Sequence, residues 1–468
     1  MYIALFPEDY KIKASYLTRL WITEGFIIHH DPTRATEEIA QSYLEELVQR
    51  CLVQVSERSW SGKIKYCYVH DILHKLAINK AKEQNFLLTF SACEANLTFG
   101  NTAQARRIAF EAFDLEDIVL DVLKGIEKEP IIAPKVRSLF SFGGYIPDFK
   151  KPRMVRVIHW EDSERQFCRW MNPWNQLNQL NTLRYFHGPT LPNFLWCNKM
   201  LRYVKLDNYR ELDFVMGPSS SVKLENLEIL KGVFARDEWT VRFPHFPRIR
   251  KLGFHITEGI QWEALANSMR KLEHLQSLFL RAEHGLSHPA ITQAFKNYER
   301  MHSLYLQCCW YGREIGDSSL FPPRLLKLTL ELSKIEQDPM QELEKLPNLR
   351  VLRLLSFSYM GEQLIYSAGG FTRLQQLKLF FLLFLKELIV EEGAMPQLKQ
   401  LEISYCYKMV TLPDLQYLTK LKELKLMGMK QFKWLLEGPD RYKVEHIPSI
   451  TITLQPLSWL PEILDFCS

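Results

Sequence analysis

The chain has 468 residues, of which 47% are hydrophobic and 24% are charged. This composition excludes an intrinsically disordered chain, and the length predicts two or three folded units. The net charge of +5 is too weak over this length to indicate, by itself, binding to nucleic acid or to a membrane surface.

Cysteine usage and hydropathy favour a cytoplasmic protein. The nine cysteines are scattered and include no C-x-x-C pair, which favours reduced thiols over a disulfide framework or a zinc site. The longest wholly apolar run, Leu379 to Leu385, has seven residues, whereas about 20 are needed to span a bilayer. We therefore expect no membrane span, and the first residues predict no secretory signal.

The first 90 residues predict a small α+β domain. Apolar residues at a period near 3.6 predict one helix over 12–26 and a second over 36–50, with Thr36 as its N-cap. Two β-rich runs, 52–56 and 65–69, predict a hairpin, and a third helix is expected over 72–83. Helices followed by a two-stranded wing are typical of a winged-helix domain, which we expect to occupy residues 1–90.

Winged helices often bind DNA, so a DNA-binding regulator is the alternative function at this point. A DNA-binding domain needs a concentrated basic face to contact phosphates. Residues 1–90 contain eleven Lys and Arg and eleven Asp and Glu, a balance of zero. The charge count therefore argues against nucleic acid as a partner.

A short phrase, Leu-x-x-Leu-x-Leu, returns through the C-terminal two thirds of the chain. Its middle residue recurs at steps of 23 to 26 residues through Leu278, Leu304, Leu328, Leu352, Leu377, Leu401 and Leu424. This period lies within the range of leucine-rich repeats, about 20 to 29 residues. Because strand side chains alternate between faces, the leucines of successive coils are expected to stack into one core. The sequence thus predicts an α/β solenoid, a leucine-rich-repeat horseshoe.

Less regular copies of the phrase precede these. We interpret residues 105–468 as the repeat domain and residues 91–104 as its connection to the winged helix. Earlier strand phrases are predicted at 105–110, 136–142, 154–160, 180–186, 201–206, 224–229 and 249–254. A helix is expected over 115–125, with more loop than helix between strands before Leu183. Trp459, Ile463 and Phe466 are expected in a helix that closes the last coil.

Three motifs, in order, carry a resemblance to a known family. Residues 5–10 read Leu-Phe-Pro-Glu-Asp-Tyr, residues 20–26 read Leu-Trp-Ile-Thr-Glu-Gly-Phe, and residues 69–71 read Val-His-Asp. They resemble the winged-helix segment of plant nucleotide-binding leucine-rich-repeat (NB-ARC-LRR) disease-resistance proteins, with Val69 where the family usually has Met. Residues 392–404 and 411–415 likewise resemble repeats of the coiled-coil branch of that family. The resemblance spans nearly the whole chain.

The resemblance implies a role for His70, with Val69 and Asp71 beside it. In the intact family the histidine of this motif contacts the ADP phosphate and helps to hold an inactive state. The structural alternative is that Asp71 merely caps the helix that follows. The sequence contains no Gly-x-x-x-x-Gly-Lys-Ser/Thr phosphate loop. We therefore expect no cofactor in this chain alone, ADP or ATP being bound only in the intact family, and we expect the chain to be part of a longer protein.

The outward residues of the predicted strand row are the candidates for protein binding. They are Arg184, Lys205, Phe279, Arg281, Tyr305, Gln307, Arg353, Lys378, Phe380, Glu402 and Lys425. Exposed aromatic rings flanked by Arg and Lys are typical of protein-binding hot spots. Phe381, next to Phe380, is also predicted to be exposed. The structural alternatives are that residues 380–385 pack under a neighbouring coil and that the basic residues form a solvated face.

No motif predicts an enzyme or a metal site. H-E-x-x-H and G-x-S-x-G are absent, and an S-x-x-K match at residues 220–223 is expected by chance. As the resemblance implies, we predict a non-enzymatic recognition and regulatory module of innate immunity. Its expected partner is a pathogen effector, a guarded host protein or the NB-ARC domain of a relative.

Overall fold

The structure is a computed structural model of the chain. It describes residues 1–28, 34–90, 104–111, 131–132, 134–142, 149–150, 153–161, 180–189, 193–207, 223–235, 243–256, 260–286, 289–310, 314–432 and 438–453. The chain divides into two compact units, Met1–Val233 with His245–Arg248, and Phe234–Pro244 with Ile249–Ser468. The winged helix and the first repeat strands thus share one unit. The predicted connection over 91–104, except residue 104, and the predicted helix over 115–125 lie outside the described residues, as does the predicted closing helix.

The winged helix has the predicted order of elements. Its helices are α1 (Ala14–Glu24), α2 (Thr36–Gln49) and α3 (Asp71–Glu83), and its hairpin is β2 (Gln54–Arg58) with β3 (Ile64–Tyr68). A short strand, β1 (Ile12–Lys13), pairs antiparallel with β3, so the sheet order is β1-β3-β2. The predicted first helix is shortened because residues 12–13 pair as a strand and Gly25, at a φ of +83°, ends α1.

The second helix begins where the sequence predicts it to begin, but its cap differs. Thr36 is the first residue of α2, and Ala35 holds the N-cap position, so no side chain caps this end. The prediction of Thr36 as N-cap is therefore wrong by one residue. The domain is stabilised instead by its core, in which Leu17, Leu20 and Leu44 are fully buried.

Repeat strands of the first unit follow the winged helix. They are β4 (Leu88–Phe90), β5 (Arg107–Phe110), β7 (Ser138–Ser141), β9 (Val157–Trp160), β10 (Tyr185–Gly188), β11 (Tyr203–Leu206) and β12 (Ile229–Ala235). Each pairs in parallel with the next of this series. A separate pair, β6 (Ile131–Ile132) and β8 (Phe149–Lys150), is also parallel. One hydrophobic core contains winged-helix residues such as Leu17 and repeat residues such as Phe140 and Val157.

In three of the predicted strands the wrong residue was assigned to the middle, inward position of the repeat, which we call an error in phase. The register aligns Ile158 with Phe186, and Phe186 with Val204, so Phe186 is the inward middle residue of β10 where the prediction has Leu183. In the same way β9 centres on Ile158, one residue after the predicted position, and β12 centres on Leu230, three residues after it. The residue predicted for the middle position is also apolar in each case, so the repeat pattern matches the sequence in both phases.

Strands of the second unit keep the predicted phase throughout. They are β13 (Lys251–Ile256), β14 (Ser277–Leu286), β15 (Ser303–Trp310), β16 (Lys327–Glu331), β17 (Val351–Leu354), β19 (Gln376–Phe380), β21 (Gln400–Ser404), β22 (Glu423–Met427) and β23 (Ser449–Thr453). They pair in parallel, and the repeated leucines align and are buried. The solenoid prediction is confirmed, and β23 adds a strand that the sequence analysis missed.

Shorter elements connect these strands. Helices α4 (Trp262–Met269), α5 (Pro289–Phe295) and α6 (Met340–Leu343) lie between strands, and β18 (Gln363–Tyr366) pairs in parallel with β20 (Glu387–Val390). No helix in the described part of the chain has the length and apolar character that crossing a bilayer requires.

Large residues adopt a left-handed backbone conformation after several strands of the second unit. Leu332, Phe357, Phe381 and Tyr405 have φ values of 55°, 53°, 59° and 56°, and Gly428 takes the next place in the series at 65°. The Phe381 N–H donates to the Ser404 carbonyl at 2.9 Å, so the turn is held by the following coil. This turn directs Phe381 inward, where it is fully buried. The prediction that Phe381 is exposed is therefore wrong.

Candidate functional site

Outward strand residues of the second unit form the surface predicted to bind protein. Each of them is partly exposed, and the aliphatic residues on either side along the strand are buried. The register sets Phe279 beside Tyr305, and Lys378 beside Glu402. These side chains are Phe279, Arg281, Tyr305, Gln307, Arg353, Lys378, Phe380, Glu402 and Lys425, which we call the outward row.

An aromatic group lies at one part of the outward row. The rings of Phe279 and Tyr305 meet edge to face with 4.8 Å between centroids, and His255 lies 5.9 Å from Phe279. The Tyr305 hydroxyl donates to the Glu331 carboxylate. Burial, followed by the charge of Glu331, raises the pKa of Tyr305, and burial also raises the pKa of Glu331. The ring of Tyr305 is therefore held in place by a partly buried polar contact.

Charged residues of the outward row are paired within the chain. Lys378 Nζ lies 2.6 Å from Glu402 Oε1, and Lys425 Nζ lies 2.7 Å from a carboxylate oxygen of Glu423. Arg353 Nη2 donates to the Gln376 side-chain oxygen at 3.0 Å. The row therefore presents local ion pairs beside aromatic rings.

Residues 380–385 divide between surface and interior. Phe380 is partly exposed, with Lys378 Nζ 5.4 Å from its ring centroid, and its ring packs edge to face on Tyr405 at 5.6 Å. Phe384 is 36% exposed, whereas Leu382 and Leu385 are fully buried. The alternative of packing under a neighbouring coil thus applies to Leu382, Leu385 and Phe381, while Phe380 and Phe384 remain on the surface and Leu383 is partly buried.

Arg184 and Lys205 lie on the repeats of the first unit. Lys205 is exposed on β11, as predicted, and its register partner on β10 is His187. Arg184 precedes β10 and is outside the strand. The outward position assigned to Arg184 therefore belongs to His187, because the true phase of this repeat centres on Phe186.

A polar cluster that the sequence analysis missed surrounds His187. His159 and His187 are register partners, with their Nδ1 atoms 2.8 Å apart. Glu161 Oε1 lies 3.3 Å from His159 Nε2, and His187 Nε2 contacts the Asp207 carboxylate. Lys205 Nζ lies 2.8 Å from Asp207 Oδ1. Only the correct strand phase would have placed the two histidines on one face.

Burial and neighbouring charge shift the proton affinities in this cluster. Burial, and next the adjacent His187, lower the pKa of His159 to about 4. Burial acts to raise the pKa of Glu161, but the His159 ring and the Tyr10 hydroxyl outweigh it and lower this pKa to about 2. Burial likewise acts to raise the pKa of Asp207, but His187 and Lys205 outweigh it and lower this pKa to about 2. The cluster therefore has two carboxylates facing two imidazoles.

Winged-helix side chains cover this cluster and a second polar contact. The Tyr16 hydroxyl lies 2.6 Å from His159 Nδ1, and the Tyr10 hydroxyl donates to Glu161 Oε1 at 2.6 Å. Farther along the same contact, Arg107 donates to both carboxylate oxygens of Glu24, at 3.2 and 2.8 Å, and both side chains are buried. The winged helix is therefore joined to the first repeats by specific polar contacts as well as by the shared core.

His70 lies at the start of α3. It holds the N-cap position, its Nδ1 lies 3.5 Å from the Ile72 N–H and 2.9 Å from Asp71 Oδ1, and its side chain is 48% exposed. The cap is thus His70, and the alternative that Asp71 is the cap is wrong by one residue. The nearby pocket of about 550 Å³ is lined mainly by apolar residues such as Trp21, Phe26 and Leu73. Its two cationic lining residues, Arg50 and Lys80, are paired with Glu46 and Glu83, so we do not expect this pocket to hold a diphosphate.

Comparison with known proteins matches both parts of the fold. The winged helix domain of disease resistance proteins matches residues 5–77, and a leucine-rich repeat region matches residues 199–446. The Arabidopsis thaliana protein named "Probable disease resistance RPP8-like protein 2" is 30% identical over 96% of this chain and 52% of its own length. "Disease resistance protein RPP8" of the same plant is also 30% identical, with the same two shares. A solved leucine-rich-repeat protein of Leptospira interrogans aligns with a TM-score of 0.46 and 15% identity, over 80% of this chain and 98% of that chain.

These matches set the family of the chain. The chain spans about half the length of the curated relatives it matches. The two matched regions, a winged helix and a repeat array, are non-catalytic, and they do not favour a DNA-binding regulator. The chain belongs to the leucine-rich-repeat family and carries, at its N-terminal end, the winged-helix domain of disease resistance proteins.

Proposed function

We propose that this chain is a recognition and regulatory module of plant innate immunity, acting in the cytoplasm. Its repeats bind a protein, which is a pathogen effector, a guarded host protein or the NB-ARC domain of a relative. The observation that carries this proposal is the outward row, where aromatic rings and ion pairs stand partly exposed on a rigid sheet. Rings of this kind beside Arg and Lys supply most of the binding energy in many protein interfaces.

The regulatory part of the proposal rests on the first unit. The winged helix shares a hydrophobic core with the first repeat strands, and Glu24 and Arg107 form a buried ion pair between them. A shift in the position of the first repeats should therefore move the winged helix as well, because closely packed elements move together. In a longer relative, this coupling would let the repeats restrain a nucleotide switch. His70 is the residue of this chain proposed to face the nucleotide there.

The surface can be tested by comparing capture of plant leaf proteins by three forms of the full chain. Wild type, Phe279→Ala and Tyr442→Ala are immobilised, and the bound proteins are quantified by mass spectrometry. Tyr442 is the matched control because it is 55% exposed and lies outside the strand row. We expect a set of proteins that wild type and Tyr442→Ala retain and that Phe279→Ala loses at least tenfold. A captured set that is indifferent to Phe279→Ala would contradict the proposed surface.

The nucleotide part can be tested separately by calorimetric titration of the full chain with ADP. The sequence has no phosphate loop, and the pocket beside α3 is lined mainly by apolar residues, while its Arg50 and Lys80 are paired with Glu46 and Glu83. We therefore expect no tight binding. Submicromolar affinity for ADP would show that this chain holds a nucleotide site of its own.

A further inference from the structure

Two imidazoles and a carboxylate converge at the outward face of the first repeats. One nitrogen of His159, one nitrogen of His187 and one oxygen of Glu161 lie within 4.8 Å of one another. The two histidines are fixed by the register of β9 and β10, and both are buried. Glu161 follows β9 two residues after His159, so strand alternation returns it to the same face. The backbone positions are fixed, because these residues belong to paired strands or directly follow one, while the side chains can still turn.

We propose that His159, His187 and Glu161 bind one divalent transition-metal ion of the Zn²⁺ class. Imidazole nitrogen and carboxylate oxygen are the ligands of many three-residue zinc sites, with bonds of about 2.0 to 2.2 Å. Such bonds place neighbouring ligand atoms of a tetrahedral site roughly 3.3 Å apart. His159 Nε2 and Glu161 Oε1 already stand 3.3 Å apart, so the largest separation, 4.8 Å, is the one that must shorten.

The first independent observation is an imidazole nitrogen without a well-formed hydrogen bond. His159 Nε2 is buried and faces Glu161 Oε1 at 3.3 Å, but among the described residues it makes no hydrogen bond. A buried polar atom left without a bond costs free energy. A metal ion between Nε2 and the Glu161 carboxylate would satisfy both groups.

The second observation is the environment of His187. Its Nε2 contacts the Asp207 carboxylate and lies 2.8 Å from Lys205 Nζ, which itself pairs with Asp207. Histidines that bind metal usually donate their other ring N–H to a carboxylate, which fixes the ring and strengthens the ligand. Asp207 is therefore placed as an outer partner of the site. His187 Nδ1, on the opposite side of the ring, lies 2.8 Å from His159 Nδ1, so the His187 ring must turn to reach an ion bound at His159 Nε2.

Metal binding here would also stabilise the winged helix. Tyr10 donates to Glu161, and Tyr16 contacts His159, so two of the three proposed ligands are already held by winged-helix side chains. An ion that orders these ligands would favour the docked form of the winged helix, because a ligand that binds only the folded arrangement stabilises it. This proposal does not depend on which protein the repeats recognise.

The test is titration of the untagged full chain with Zn²⁺ and, for an optical signal, with Co²⁺. We expect one ion per chain at micromolar or tighter affinity, with Co²⁺ absorption typical of low coordination number. Glu161→Gln and His187→Gln should each weaken binding at least tenfold, and Asp207→Asn should weaken it by about 10- to 100-fold. Glu161→Gln keeps an acceptor for Tyr10, so it reports on the ligand even if His187→Gln fails to fold.

Two matched variants control for other donors. His274 is exposed and contacts Arg300, and Cys51 is an exposed free thiol. His274→Gln and Cys51→Ser should leave the affinity and the stoichiometry unchanged. Loss of the ion with either control, or a titration that Glu161→Gln does not alter, would overturn the site. Absence of any one-to-one binding would mean that the cluster holds only protons and hydrogen bonds.

Discussion

Replacing Glu24 with Gln should weaken the attachment of the winged helix to the first repeats. Glu24 accepts two hydrogen bonds from Arg107 and one from Ser138, and the Glu24 and Arg107 side chains are 0% and 2% exposed. Gln removes the negative charge and leaves the guanidinium buried. The ring of Phe86, whose centroid lies 4.1 Å from the Arg107 guanidinium carbon, offsets only part of this loss.

The size of the effect follows from burial. Removing one partner of a buried ion pair costs about 3 to 5 kcal/mol, because the remaining charge is neither solvated nor paired. The control is Glu83→Gln, which breaks the Lys80–Glu83 pair on α3, where the side chains are 56% and 60% exposed. Exposed pairs of this kind contribute about 0 to 1 kcal/mol. The two variants make the same chemical change at opposite extremes of burial.

The assay is hydrogen exchange of the full chain, read on peptides from α1 and α3 and combined with urea unfolding. Glu24→Gln should lower the protection of α1 by several kcal/mol, while Glu83→Gln should leave it nearly unchanged. A double variant, Glu24→Leu with Arg107→Leu, should recover much of the loss, since two apolar residues leave no unpaired charge. If Glu24→Gln costs no more than Glu83→Gln, the buried pair does not join these elements.

Two further substitutions test the second unit. Gly428→Ala should destabilise the last coils more than Gly369→Ala: both glycines have positive φ, but only at Gly428 would an added Cβ meet the Tyr405 ring, at 2.2 Å. The shared backbone cost is about 1 to 2 kcal/mol, and thermal unfolding should show the excess; equal losses would contradict the clash. Glu331→Gln tests the raised pKa of that carboxyl. The wild-type contribution of Glu331 is present below its ordinary pKa and is lost as pH rises through the raised native value. The urea midpoint of the Gln variant, relative to that of wild type, should therefore be higher at pH 7 than at pH 4. A lower relative midpoint at pH 7 would refute the assigned direction of the pKa shift.

Periodic apolar residues made most of the fold predictable from sequence. The repeated leucines from Leu278 to Leu424 point inward and align as the pattern predicts. A shift of one residue would turn every one of these leucines to the solvent face. The turns after the strands were not predictable in this way. Phe381 follows a strand by one residue, and only its φ of 59° turns it into the core. Alternation describes side chains within a strand and has no information about the residue that ends one.

The polar contacts of the first unit show a different limit. Glu24 and Arg107 are 83 positions apart, so no local pattern in the sequence connects them. The histidine cluster could more nearly have been predicted from the sequence, since it depends only on the phase chosen for β10. When β10 is centred on Leu183, Arg184 faces outward and His187 falls outside the strand phrase; when it is centred on Phe186, His187 stands next to His159. Both choices bury an apolar residue, and packing against neighbouring strands selects between them. The contacts that set the phase of this irregular repeat therefore also bring the histidine cluster together. A change that moved Leu183 to the centre of β10 would separate the two imidazoles.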